Sequence, residues 1–342
     1  MNNSTKDEFN IMDNLKNIPI SISEMMKAKS SLAKKMQPSQ LIRYEGLSQL
    51  LEADVYVKHE NQNLTGSFKI RGGINLMSNL KCKGVKGVVT FSTGNHGISI
   101  AKSANLFGLK AVVVVPENTN PSKKRLITEA GAELIEAGST FDEASLVVES
   151  ICENRGFYYA HPANEPCLIN GVGTEFVEIL EELPDIDVVV LPLGGGSEVA
   201  AATVVFNALK PDVDIIAVQA EKSSAAYQSW REGHIIECSN ETFAGGFATG
   251  TAYATTFNIF REELSDFILL TEDEIYKGIA LAAYYTRNMV EGAGGSTIMA
   301  ALKMKDKLKG KKVVLQFSGA NASTEELSHA YNLDCFFCGL NP

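Results

Sequence analysis

The apolar positions change period several times along the chain, and each change marks an element. Residues 23–36 carry Met25, Met26, Ala28 and Leu32 at helical spacing, and Pro38 ends the run. Residues 40–44 form a short extended piece leading to Gly46. Residues 54–59 alternate apolar and polar side chains, as a half-buried strand does, and Asn61, Asn63 and Gly66 mark the loop after it. A helix then starts near Ser67 and runs to about Asn79. From Gly87 the pattern is regular. Strand 87–91 is followed by a helix over about 97–107 that Gly108 closes. Strand 111–115 is continuously apolar, as a parallel strand covered on both faces should be. Helix 121–130, strand 133–136, helix 141–154 and strand 157–160 complete this group.

The second half repeats the alternation. Residues 165–182 read as one longer helix, and strand 187–191 runs into Gly194-Gly195-Gly196-Ser197. A helix to about Leu209, strand 214–219, helices near 272–288 and 295–309, and a last strand 313–317 follow. That strand opens into Ser318-Gly319-Ala320-Asn321. Between them, residues 239–258 are rich in Gly, Ala and Thr without a period. So long an irregular stretch is expected to line a site. Strands alternating with helices predict an α/β protein with mostly parallel sheets. The 342 residues, with one group of alternations on each side of about Asn164, suit two domains.

Charge and cysteine usage narrow the partners. A net charge of -10, with no stripe of Lys and Arg among aromatics, excludes a nucleic-acid footprint. The basic run 303–312 contains Asp306 and reads as a solvated helix face. No apolar run is long enough to span a bilayer. Residues 1–17 are polar, lack the apolar core of a secretory signal and are expected to be flexible. Six cysteines without framework spacing point to a reducing cytoplasm. Cys335 and Cys338 form a lone CxxC with no second ligand pair nearby, so no metal is expected there.

Four small-residue loops follow strands, at Gly66, Ser92, Gly194 and Ser318, where sites in open α/β sheets lie. Lys69 falls in the first turn of its helix. The positive end of the dipole there disfavours a further cation and pushes the amine toward its neutral, nucleophilic form. The three glycines before Ser197 let several N–H groups approach one anion, and the following helix adds its dipole. No Walker lysine follows, so a phosphate outside a nucleotide triphosphate fits better. Ser92-Thr93-Gly94-Asn95-His96 offers hydroxyls and N–H groups suited to a carboxylate. His96 by itself reads as a structural residue rather than a proton carrier.

In this order and spacing, these loops resemble the fold-type II pyridoxal-phosphate enzymes, specifically the threonine/serine dehydratase and serine racemase group. The resemblance runs from about Gln40 to His329. It rests on residues 60–69, 92–96 and 194–197, on Val290-Glu291-Gly292-Ala293-Gly294 and on residues 318–321. It implies two open α/β domains of tryptophan synthase β type, with the cofactor in the crevice between them. The large cofactor-binding domain is expected over 1–80 and 168–342, and a small domain carrying the substrate-carboxylate loop over 81–167. Lys69 would form the Schiff base with pyridoxal 5'-phosphate and act as acid and base. Phe68 would pack on the pyridine ring, and Asn95 would bond its 3'-oxygen. Gly194, Gly195, Gly196 and Ser197 would hold the phosphate, and Ser318 would face the ring nitrogen. Glu291 would lie near the cofactor or the substrate side chain. Ser92, Thr93, Gly94, Asn95 and His96 would bind the substrate.

The chain departs from the family pattern at Ser197 and Ala320, where glycine is usual. At the positions where racemase-like members bind a divalent cation it has Gln219 and Ala225, which leaves Glu221 as the carboxylate, and no metal is expected. The resemblance implies a cytoplasmic lyase, suited to a homodimer, that converts an L-3-hydroxy amino acid such as L-threonine or L-serine to a 2-oxo acid and ammonia. Two alternatives stand beside it. One is a racemase with Lys69 and Thr93 as catalytic groups on opposite faces. The other is a protein that binds the cofactor without turnover.

Overall fold

The structure is a computed structural model that describes Leu15, residues 17–138 and residues 141–340. Most of the 1–17 stretch expected to be flexible lies outside the described residues. In chain order the strands are β1 (Leu41–Arg43), β2 (Asp54–Lys58), β3 (Gly87–Phe91), β4 (Lys110–Val115) and β5 (Glu133–Glu136). They continue with β6 (Tyr158–Tyr159), β7 (Val188–Pro192), β8 (Asp214–Ala220), β9 (Asp266–Leu270) and β10 (Lys312–Gln316). Helices connect them, so the chain is α/β, as its alternating pattern predicts.

The described chain divides into two compact units. One comprises the chain up to Gln37 with Lys69–Thr174, and the other comprises Pro38–Phe68 with everything from Glu175 onward. In the first, the strands run in the order β5-β4-β3-β6, all parallel. In the second, the order is β1-β2-β10-β7-β8-β9, parallel except for the β1–β2 pair. β7 is buried at every position, as its apolar run requires.

This division differs from the expected domains at the N-terminal side. The helices Ile22–Leu32 and Lys69–Cys82 pack with the four-stranded sheet's unit, where Ala28, Leu32, Ile70 and Ile74 share one apolar cluster. Glycines allow the close packing. A Cβ added at Gly72 would lie 2.8 Å from Leu168 O, and one at Gly171 would lie 2.5 Å from Arg71 O. Such neighbours are invisible to a pattern read along the chain.

Other differences have local causes. The helix read over 165–182 is two helices, Pro166–Val172 and Thr174–Glu182, separated at Gly173. A side chain at Gly173 would meet Met25 Sδ at 2.3 Å. The helix read over 295–309 starts earlier and breaks at Met304, giving Gly292–Lys303 and Lys305–Leu308. The edge strand β9 is as long as β2 but its burial does not alternate, and the helices Glu45–Leu51, Ala225–Glu232, Thr324–Tyr331 and Asp334–Cys338 are too short for periodicity to mark. The 239–258 stretch is not wholly irregular, since the helix Ala254–Phe260 begins inside it.

Candidate active site

Three loops leave the carboxyl edge of three adjacent parallel strands of the six-stranded sheet. The lysine loop follows β2, the Ser318 loop follows β10, and the glycine loop follows β7. Neighbouring strands lie about 4.8 Å apart, so the three loops begin within roughly 10 Å of one another. Strand order thereby gathers segments separated by more than a hundred residues of sequence.

The lysine loop and the Ser318 loop are laced together. Phe68 N donates to Ser318 O at 3.0 Å, Ala320 N to Gly66 O at 2.8 Å, and Asn321 Nδ2 to Thr65 O at 2.8 Å. Ser67 and Gly319 form the antiparallel bridge between those bonds. Gly66 has φ +66°, and a Cβ there would lie 2.9 Å from Asn321 Oδ1, so glycine meets both demands. Below the loop, the wholly buried Lys58 donates to Glu178 at 2.8 Å and to Ser39 O at 2.9 Å, which fixes the end of β2. Phe68 and Ser318 are buried. Ser67 Oγ and Thr65 Oγ1 are buried hydroxyl oxygens with no hydrogen-bond partner among the described residues.

The glycine loop is shaped by backbone contact. A Cβ on Gly194 would lie 2.1 Å from Gly246 O, and Gly196 takes φ +82°. Thr256 Oγ1 donates to Gly195 O at 2.9 Å, which anchors that carbonyl. The helix Ser197–Leu209 starts there, and its first N–H groups have no intrahelical acceptor. The cradle therefore offers donors without side chains in the way and suits a phosphate.

Glu291 is buried and stands at the N-cap of the helix Gly292–Lys303, with its N–H donating to Gly319 O at 3.0 Å. A Cβ on Gly246 would lie 2.6 Å from Ala293 Cβ and 3.5 Å from Glu291 Oε1. Residues 239–258 thus reach both the glycine loop and Glu291. Ser223, at the end of β8, ties this segment down through its hydroxyl, which lies 2.9 Å from Phe247 O and accepts from Thr249 N at 3.1 Å. Sequence reasoning missed Gly246 and Thr256. The Gly245-Gly246 pair inside an aperiodic stretch was the available signal.

In the four-stranded unit, the Ser92 loop follows β3 and the helix Asn95–Phe107 begins at once. Lys69 is half-buried and is the first residue of its own helix in this unit, directly after Phe68. Ser92, Thr93, Gly94 and Asn95 are half-buried. Gly94 N donates to Ser92 Oγ at 3.2 Å, and a Cβ on Gly97 would lie 2.8 Å from Ser92 O. The N–H groups of Asn95, His96 and Gly97 belong to the first turn, where helices leave donors open.

The His96 imidazole points away from that use. It is buried, with Nε2 2.9 Å from Thr90 Oγ1 and 3.0 Å from Ala160 O. Thr90 Oγ1 itself donates to Ala160 O at 2.8 Å, so the shared proton of the ring sits on Nε2. Burial first, then the positive Lys69, pull its pKa down to about 3. What His96 offers a carboxylate is its backbone N–H. A folded pKa below the unfolded 6.5 contributes stability that is complete above pH 6.5 and is lost as pH falls toward about 3. Acid unfolding of wild type is therefore expected to steepen below pH 6.5. His96→Gln, which keeps a donor but does not titrate, should flatten that dependence in urea titrations across this range.

Among the described residues, no cluster of three or more His, Cys, Asp or Glu is placed to hold a metal ion. Gln219 uses Oε1 to accept from Tyr227 N at 3.0 Å. Cys335 is buried among apolar neighbours, which raises its thiol pKa, while Cys338 is exposed. No helix is long and apolar enough to cross a membrane among the described residues.

Comparison with known proteins accords with this geometry. The profile of a family described as pyridoxal-phosphate dependent enzyme matches residues 32–319. The L-threonine ammonia-lyase of Thermotoga maritima is 33% identical over 92% of this chain and 78% of its own length. The catabolic L-threonine dehydratase TdcB of Escherichia coli K12 is 31% identical over 91% of this chain and 96% of its own. Among solved structures, maize serine racemase superposes with a TM-score of 0.87 at 26% identity, covering 92% of this chain and 97% of that one. The chain belongs to the pyridoxal-phosphate dependent enzymes, in the group of the threonine ammonia-lyases, and its cofactor is pyridoxal phosphate.

Proposed function

We propose that the protein removes water from an L-3-hydroxy amino acid, L-threonine or L-serine, and releases a 2-oxo acid and ammonia. The observation that carries this reading is the likeness to the Thermotoga lyase along nearly the whole chain. The fit of the cofactor is supported by the run of three glycines from Gly194, where a Cβ would strike Gly246 O. Bound pyridoxal phosphate supplies an electron sink for the pair left when the Cα–H bond breaks.

This chain's own residues do the rest. Lys69 Nζ would hold the cofactor covalently and would serve as the base for the Cα proton. The first-turn N–H groups after Gly94, with the Ser92 and Thr93 hydroxyls, hold the substrate carboxylate. Gly194, Gly195, Gly196 and Ser197 would hold the phosphate, Phe68 would pack on the ring, and Asn95 would bond the 3'-oxygen. Ser318 would meet the ring nitrogen with a neutral hydroxyl, and Glu291 would face the cofactor or the substrate side chain. The β-hydroxyl leaves as water, and hydrolysis of the released enamine returns that water and frees ammonia. The reading extends to a cytoplasmic homodimer, and the six free cysteines support a reducing compartment.

A racemase reading is favoured by one observation, the Thr93 hydroxyl at the head of the carboxylate helix, together with the likeness to maize serine racemase. A panel of L-3-hydroxy amino acids, assayed for 2-oxo acid and by chiral chromatography for the D-enantiomer, separates the two. Wild type should give oxo acid without D-product, and Thr93→Ala, which loses one carboxylate contact, should raise KM while the bound substrate still eliminates to oxo acid. D-product that outruns oxo acid and vanishes in Thr93→Ala would replace the lyase reading by the racemase.

A further inference from the structure

Asn95, Ser99 and Ser103 recur every four residues on the helix Asn95–Phe107, so they share a face. That face meets the helix Lys69–Cys82 at Gly73. A Cβ there would lie 2.6 Å from Ser99 Oγ and 2.4 Å from Ser103 Oγ, so the missing side chain makes room for two hydroxyls. Both serines are buried, but only one hydroxyl is used. Ser103 Oγ has no partner among the described residues, whereas Ser99 Oγ donates to Lys69 O at 2.6 Å. A carbonyl in the first helical turn accepts one N–H four residues on and keeps a second lone pair, which Ser99 takes.

We propose that Ser99 is a positioning residue that ties the backbone of Lys69 to the helix whose first turn seats the substrate carboxylate. Both ends of the tie lie in one compact unit. The proposal rests on the lyase reading above and adds a residue to it. Ser99 stands one turn behind Asn95, in the helix whose first turn is residues 95–97, so the bond ties Lys69 to the helix of the carboxylate seat. Proton transfer needs the base within hydrogen-bond reach of the proton it takes, and displacements of about 1 Å are costly. Without the tie, the Lys69 helix still forms through its main-chain bonds, but its first turn is free to shift against the carboxylate helix. Binding should survive, and proton transfer should slow.

The test compares holoenzyme variants Ser99→Ala, Ser99→Thr and Ser103→Ala for kcat and KM on L-threonine, the isotope effect of Cα-deuterated substrate, and the pH dependence of the absorbance of Lys69-linked cofactor. Ser99→Ala should lower kcat about tenfold, with KM within about twofold and a larger isotope effect. It should also shift the pH midpoint of the cofactor absorbance. Ser99→Thr keeps the hydroxyl and should restore both. Ser103→Ala removes an equally buried hydroxyl from the same contact and should behave as wild type. A Ser99→Ala enzyme with kcat within about twofold of wild type, or a Ser103→Ala enzyme equally impaired, overturns the proposal. If wild type releases no oxo acid, the lyase reading fails instead. The tie is then judged on the cofactor absorbance, and superimposable pH titrations for wild type and Ser99→Ala overturn it.

Discussion

Lys69→Ala should release oxo acid at a rate lower than wild type by on the order of 10³-fold or more, and it should not hold the cofactor covalently. Two functions disappear with one amine. On the proposed mechanism the Cα proton would lose its acceptor, and the aldehyde of the cofactor would lose its nucleophile. The substitution should leave the fold intact, because Lys69 is half-buried at the first position of its helix and alanine is a good helix former. Steady-state kinetics on L-threonine and the absorbance of the dialysed protein check both parts. Full activity in the variant would remove Lys69 from the mechanism.

Gly194→Ala should have the second-largest effect, and through a different cause. The added Cβ would lie 2.1 Å from Gly246 O, a backbone atom that cannot rotate away. Gly246 has little room to retreat, since the position of its own absent Cβ lies 2.6 Å from Ala293 Cβ. The loop must therefore open, which would carry its N–H groups off the phosphate they are proposed to hold. Charge-assisted hydrogen bonds contribute about 1.5–3 kcal/mol each, so losing two weakens cofactor binding by roughly 100-fold or more. Titration of the apoprotein with pyridoxal phosphate measures this. Gly94→Ala provides the contrast for folding. It has φ -132° and no atom within 4 Å of an added Cβ, so its thermal midpoint should match that of wild type. Unchanged cofactor affinity in Gly194→Ala would mean that the phosphate sits elsewhere.

Much of this was legible along the chain, for a physical reason that also sets the limit. Alternation over 54–59 and the unbroken apolar run 111–115 report burial on one or both faces of a strand, and β2 and β4 occupy those positions. Lys69 at a helix start, the glycines before Ser197 and the 92–96 loop were marked by local turn chemistry. What could not be read is what lies opposite. Nothing near Gly194 in sequence announces Gly246 O, nothing in residues 165–182 announces Met25 against Gly173, and nothing near Lys69 announces Ser99. The role of His96 lies between. Its imidazole is held by Thr90 and Ala160, which come from the ends of two neighbouring strands, and is kept neutral by burial and by Lys69.

The most direct measurement is one incubation of the holoenzyme with L-threonine in deuterium oxide, followed until about half the substrate is consumed. The fate of the Cα proton decides the chemistry. The expected result is 2-oxo acid and ammonia in equal amounts, with the remaining threonine still L and largely unlabelled at Cα. Threonine recovered with deuterium at Cα and inverted configuration, without oxo acid, would contradict the lyase assignment.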